Sequence, residues 1–214
     1  FFLSLDDDMQ LFYARAQLDP QFTQVIERLY GLHQVKFLTP FENACWAVLT
    51  QRVPMRMARQ IKDRLVMRFG PSLTLPEGVS RAFPEPATLA AADPAELASI
   101  VRNERKVAYL QAVTEFFATH DEGWLRSAPV DEVAAALRGV RGIGAWSASF
   151  ILVRGLGRMD SALAIGEELE RAAAQVYNDG RPLATAEMRR LLERYDAVRG
   201  YWVFYCRNAF GVGG

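Results

Sequence analysis

The sequence predicts an all-α fold. Three observations carry that expectation. Apolar residues recur at helical spacing along most of the chain. The segments so marked are punctuated by capping residues, prolines and glycines. Alternating strand patterns are nearly absent, with only Phe1–Leu5 hinting at one, as from the end of a missing sheet.

About ten helices follow in order. Phe41, Ala44, Cys45, Val48 and Leu49 fall at i, i+3, i+4, i+7 and i+8, one face of a helix. After a break at Val53, Pro54 suits a first helical position, and Ala58, Ile61, Leu65 and Phe69 stripe a second helix closed by Gly70. Four prolines between Pro71 and Pro86 make residues 71–87 read as a loop. Asp93-Pro94 is a cap and first turn for a short helix, and Val107, Leu110 and Phe117 stripe a longer one. Asp131 is expected to cap the helix carrying Val133, Ala136 and Leu137. Further helices cover roughly 145–155, 166–177, 184–194 and 198–210, with a turn at Asp179-Gly180.

Half of the 214 residues are hydrophobic and 23% are charged, so the chain can bury a sizeable core and is not a disordered polypeptide. No run of about 18 uncharged apolar residues exists, so no transmembrane helix or membrane partner is expected. Phe1–Leu5 is too short, and lacks the basic flank, for a signal peptide. Two cysteines far apart, Cys45 and Cys206, suit a reducing cytosol rather than a disulfide scaffold, and no CxxC pair or Cys/His cluster suggests zinc or an iron–sulfur cluster. The formal net charge is zero, which argues against a generic polyanion binder. Yet only three of the 25 basic residues are lysines: Lys36, Lys62 and Lys106. A GC-rich genome accounts for that bias; so does phosphate contact, which suits the planar arginine fork, and local clustering decides between them.

The most informative segment is Leu137-Arg138-Gly139-Val140-Arg141-Gly142-Ile143-Gly144-Ala145-Trp146-Ser147-Ala148. A helix ends near Leu137, a glycine hairpin follows, and Gly144 opens a new helix. Ile143 plugs the core while Gly142 and Gly144 let the backbone turn sharply. The first N–H groups of the new helix are free to hold an anion, and glycines leave room for a phosphate to approach. Such contacts position a protein on DNA without reading its sequence.

This string resembles the helix-hairpin-helix of the base-excision DNA glycosylase superfamily, and most of all its DNA-3-methyladenine glycosylase II branch. Three other segments are similar to that family: Thr39-Pro40-Phe41-Glu42 through Gln51-Arg52-Val53, Arg105-Lys106-Val107-Ala108-Tyr109-Leu110, and Val153-Arg154-Gly155-Leu156-Gly157-Arg158-Met159-Asp160. The resemblance covers about residues 5–210. It implies two interlocked helical subdomains with a DNA cleft, one made of residues 1–37 plus 159–214 and the other of 38–158, with the helix-hairpin-helix at about 131–155. The family's N-terminal β-domain is then absent or reduced to Phe1–Leu5. The implied partner is double-stranded DNA with a damaged base, bound by a monomer in the bacterial cytoplasm at the nucleoid.

The resemblance also implies roles. Gln51 and Arg52 fall where the family inserts a side chain into the gap left by a flipped base, beside Arg56, Arg59 and Lys62. Extruding a base costs a few kcal/mol, which a wedge offsets. Arg141, Gly142, Ile143, Gly144 and Ala145 are the DNA-contacting hairpin. Trp146 stands where lyase-type relatives carry a Schiff-base lysine; indole forms no Schiff base, so an activity here is monofunctional. Trp146 and Phe150, at i and i+4, are expected to line the base pocket, where a cationic alkylated purine gains about 0.5–2 kcal/mol from an aromatic face. No cofactor is required, although the family implies a monovalent cation held by the carbonyls of Arg138, Val140 and Gly142.

One departure stands out. The family's catalytic aspartate begins the helix after the hairpin pair, behind a Leu-Pro step. Here the stretch is Asp160-Ser161-Ala162-Leu163-Ala164-Ile165-Gly166-Glu167-Glu168-Leu169, with Gly166 at the aspartate position and no proline. Breaking an N-glycosidic bond builds positive charge on the sugar, which a fixed carboxylate stabilises and a glycine does not. Glu167 is the best replacement; Glu170 shares the face of Gly166 one turn on; or no carboxylate serves, and the chain is a damage-binding protein without efficient cleavage. Acidic residues also favour a helix start by about 0.3–1 kcal/mol each, which explains the glutamates without chemistry.

Overall fold

The computed structural model describes residues 2–161 and 166–209. In chain order the helices are α1 (Gln10–Gln17), α2 (Thr23–Leu29), α3 (Pro40–Leu49), α4 (Met55–Phe69), α5 (Pro86–Ala90), α6 (Pro94–Val101), α7 (Glu104–Thr119), α8 (Glu122–Ser127), α9 (Val130–Gly139) and α10 (Ala145–Phe150), followed by α11 (Glu167–Tyr177), α12 (Thr185–Tyr195) and α13 (Arg199–Ala209). The strands β1 (Ser72–Leu75) and β2 (Gly78–Arg81) are the only sheet among the described residues. The all-α expectation therefore holds.

The chain divides into a central unit, Phe37–Ile151, and a terminal unit that joins Phe1–Lys36 to Leu152–Gly214. The second boundary lies after Ile151 rather than after 158. Its cause is Val153, which buries in the terminal unit's core with Phe12, Leu169 and Trp202.

In the central unit, α7 is the spine against which α3, α5 and α6 pack. Leu110 and Val113 of α7 and Ala44, Val48 and Leu49 of α3 are almost wholly buried. Burying a side chain of the valine or leucine type contributes roughly 1.5–3 kcal/mol. The Asp93 cap is made as the sequence suggests, and Thr39 and Asn103 cap two further helices. The Thr39 hydroxyl accepts from the Glu42 N–H at 3.1 Å, and Asp93 accepts from Ala95 N at 2.9 Å. The Asn103 side chain accepts from Lys106 N at 3.0 Å. Each such cap stabilises its helix by about 1 kcal/mol.

The terminal unit is an aromatic core. Phe12, Phe22, Tyr195, Trp202 and Tyr205 are fully buried, and Tyr195 stacks on Trp202 with centroids 5.8 Å apart. The hydroxyls of Tyr195 and Tyr177 meet at Asp19, itself 1% exposed. It accepts from the hydroxyls of Tyr177 (2.9 Å) and Tyr195 (3.2 Å) and from Arg194 (2.9 Å). A buried carboxylate needs such partners. Burial pushes the Tyr177 and Tyr195 hydroxyls far above the usual tyrosine range, so both remain donors.

Several local expectations are corrected. Residues 71–87 are not simply a loop. Leu73 pairs with Ser80 and Thr74 with Val79 in an antiparallel hairpin, because the four prolines flank the ladder or sit in its turn and Gly78 supplies a φ of +137°. Phe2–Leu5 forms no strand: Phe2 O instead accepts from Lys36 N, and the buried Ser4 hydroxyl donates to Gln34 O. Phe1 and the Leu163-Ala164 step lie outside the described residues. Pro54 is the N-cap of α4, not its first residue, and Asp131 lies in the first turn of α9, whose N-cap is Pro129. The segment expected at 145–155 is α10 continued by a π-helical run, Ile151–Gly155.

Candidate functional site

The hairpin is the loop between α9 and α10. Val140 N donates to Leu137 O at 3.1 Å and Ile143 N to Val140 O at 3.0 Å, closing two successive turns. Ile143 is 5% exposed and does plug the core. Gly142 has φ +95°, and a Cβ there would lie 2.4 Å from the Tyr109 ring of α7. Both facts demand glycine. Gly144 differs: as N-cap of α10 it has φ −88°, and a Cβ there would meet nothing within 4 Å. Its missing side chain leaves open space before the first N–H groups of α10, which no side chain caps. Arg141 is exposed, with its guanidinium 6.0 Å from the centre of the Tyr109 ring.

The segment Gln51-Arg52 joins α3 to α4 beside this hairpin. Gln51 Nε2 donates to Gly142 O at 2.8 Å, so the two predicted DNA-contacting segments are bonded to each other. Arg52 is exposed and holds φ +53°, a left-handed backbone unusual for a side chain of its size. The basic cluster expected around it is rearranged. Lys62 is bound to Glu42 at 2.5 Å, with its ammonium 5.8–6.0 Å from the centres of the Phe37, Trp46 and Phe83 rings. Arg105 and Lys106, which the sequence marked only as a helix start, lie beside Arg52 instead. Sequence spacing of some 50 residues gave no signal of that meeting.

Trp146 and Phe150 stack face to face, centroids 5.0 Å apart and planes 11° apart. Trp146 is 51% exposed, which plain core packing does not explain. Phe37 meets Phe150 edge-on at 6.0 Å, extending the aromatic surface.

The hairpin carbonyls suit a hard, weakly charged cation, since they are neutral oxygens. Val140 O already accepts from Ile143 N and Gly142 O from Gln51 Nε2, and each keeps a second lone pair.

In the terminal unit, Gly166 is the N-cap of α11, with φ −153° and ψ 170°. This is ordinary extended backbone, and a Cβ there would meet nothing within 4 Å. Glu167, Glu168 and Glu170 fill the first turn. Glu167 and Glu170 share one face and line a cavity of about 430 Å³ with Arg171, Gln175 and Leu183, whereas Glu168 faces Arg207 at 4.0 Å. The Asp160 carboxylate is held by Arg158 in a two-point pair at 2.6 and 3.0 Å.

Residues 45–200 match the HhH-GPD superfamily of base excision DNA repair proteins. The chain belongs to this superfamily. It is 29% identical over 152 residues to a DNA-3-methyladenine glycosylase of Bacillus subtilis, an alignment covering 70% of this chain and 50% of that protein. The chain thus spans about half the length of that curated relative. Among solved structures, a DNA-3-methyladenine glycosidase from Bacillus halodurans superposes with a TM-score of 0.80 at 22% identity, covering 96% of this chain and 90% of that one. A Schizosaccharomyces pombe 3-methyladenine DNA glycosylase in complex with abasic DNA gives 0.69 at 16%, covering 92% and 95%. At these identities the superpositions speak for the fold. Among the described residues no helix is long and apolar enough to cross a membrane. Both cysteines are free and buried, and burial raises their thiol pKa values.

Proposed function

We propose that the protein is a monofunctional DNA glycosylase of base excision repair, which flips alkylated purines out of double-stranded DNA and hydrolyses their N-glycosidic bond. The observation that carries this reading is the hairpin face of the central unit. There Gly144 leaves the uncapped start of α10 open, and the exposed Trp146–Phe150 stack lies on the same helix. The uncapped amides suit a backbone phosphate. The aromatic stack suits a cationic purine, whose positive charge already makes it a good leaving group. A tryptophan where a Schiff-base lysine would stand leaves the abasic sugar uncut. The similar proteins named as 3-methyladenine glycosylases support the substrate class. The protein acts as a monomer on cytoplasmic, nucleoid DNA. It needs no cofactor for the chemistry, and a monovalent cation held by the carbonyls of Arg138, Val140 and Gly142 stiffens the hairpin. Glu167 is the carboxylate best placed to assist, and with Gly166 at the N-cap the enzyme is slow.

That glycine favours a second reading, a damage-binding protein on the same scaffold. Release of methylated purines from alkylated duplex, measured beside gel-shift binding of an abasic-analogue duplex, separates the two. Release with no strand cleavage supports the enzyme; tight binding without release supports the binder; neither would remove the DNA reading altogether.

A further inference from the structure

A cationic recess adjoins the hairpin, where the Gln51-Arg52 segment meets the start of α7 and Tyr109. Arg52, Asn103, Arg105, Lys106 and Tyr109 line a cavity of about 270 Å³. A neighbouring cavity of about 340 Å³ shares Asn103 and Lys106 and adds Arg64 and Arg102. No carboxylate lines either one. Among the described residues, none of these five cations makes an ion pair.

Lys106 is the unusual member. It is only 6% exposed, and its ammonium donates to Leu49 O at the end of α3. An ammonium has three donors, and a buried charge without a counter-ion is costly. Burial accordingly lowers its pKa. The recess also contains the start of α7, a helix of 16 residues. Asn103 takes the Lys106 N–H with its side chain and the Val107 N–H with its carbonyl. The Glu104 and Arg105 N–H groups have no acceptor within the helix, and the helix dipole adds positive potential there.

We propose that this recess is a second anion site, holding a DNA backbone phosphate between Arg105, the first turn of α7 and Lys106. The inference rests on the reading of the protein as DNA-binding and extends it from one phosphate anchor to two. A phosphodiester is the fitting ligand because the charged side chains lining the recess are all cations. Its cations and free helix-start N–H groups match the charged phosphate oxygens. Arg52 at the rim then ties the anchor to the segment that probes the base gap.

The test is duplex affinity of the full chain measured against salt. Arg105 is exposed, so Arg105→Gln spares the fold. It is expected to reduce the slope of log affinity on log salt by about 0.9, the value for one lost phosphate contact. The reduction should be equal on undamaged and abasic-analogue duplexes. Lys106→Gln should do the same, with a melting curve to check folding because it also gives up the Leu49 bond. An unchanged slope in Arg105→Gln overturns the proposal, and a loss confined to the abasic duplex assigns the recess to the base gap instead. If the wild-type chain binds no duplex, the DNA reading fails first. Inorganic phosphate then decides the recess alone: shifts of the Glu104 and Arg105 amide resonances support it, and their absence overturns it.

Discussion

Gly142 and Gly166 are both glycines next to helix starts, yet only one is imposed by the fold. At Gly142 the backbone sits at φ +95° and Tyr109 occupies the space of a Cβ. At Gly166 the backbone is extended and the space is empty. An aspartate at 166 would be sterically free and would suit the N-cap of α11. The hairpin glycine is thus explained by packing, and the glycine at the position proposed for a catalytic carboxylate is not. Packing accounts for the glycine of the hairpin proposed to hold DNA, and gives no structural reason for a glycine at 166.

The largest expected effect follows from that contrast. Gly166→Asp should leave the melting temperature unchanged or slightly higher and raise release of methylated purines by about 10²–10⁴-fold over wild type. Glu167→Gln is the companion variant. If Glu167 already serves, its loss abolishes release and Gly166→Asp adds little. Robust wild-type release that survives Glu167→Gln, Glu170→Gln and Asp160→Asn alike would defeat the account of this site.

Much of this was legible in the sequence, for physical reasons. Helical periodicity, Asp93 as a cap, and the Gly-Ile-Gly hairpin are local signals, and local signals survive in one dimension. The β1–β2 hairpin was hidden because prolines mark turns and ladder ends alike. The Gln51–Gly142 bond and the meeting of Arg52 with Arg105 and Lys106 join residues 50 to 90 positions apart, which no spacing rule reaches. Lys62 was misread for the same reason: a lysine near arginines looks like part of a patch until Glu42 and three rings surround it.

The second prediction tests the imposed glycine. Gly142→Ala should cost about 1–3 kcal/mol of stability, since a strained φ is compounded by contact with the Tyr109 ring. It should also weaken damaged and undamaged duplexes alike. Gly144→Ala, with ordinary φ and empty space, should fold as the wild type and lose affinity through obstruction of the α10 start. Chemical denaturation with parallel gel shifts checks both. A Gly142→Ala protein as stable as wild type would erase the contrast on which the comparison rests.

Smaller again is the effect at the aromatic stack. Trp146→Ala should hardly change stability, because the indole is half exposed. It should reduce release of cationic methylated purines by about 0.5–2 kcal/mol, roughly two- to thirty-fold, and affect a neutral lesion less. Equal losses on cationic and neutral bases would reduce Trp146 to a shape contact.

The smallest expected effect separates the two arginines that border one recess. Arg52 holds φ +53°, which costs a non-glycine residue about 1 kcal/mol. Alanine inherits that strain and glycine does not. Arg52→Ala should therefore keep wild-type stability, and Arg52→Gly should gain a few tenths of a kcal/mol or more. Neither retains a side chain long enough to fill the gap of a flipped base. Both should then weaken the abasic-analogue duplex a few-fold more than the undamaged one, unlike Arg105→Gln, whose loss is the same on each. Binding isotherms on the two duplexes, read beside melting curves, resolve the pattern. Equal losses for Arg52→Ala would move Arg52 into the phosphate recess with Arg105, and the base gap would need another probe. The bond from Gln51 to Gly142 makes that neighbour the next side chain to replace.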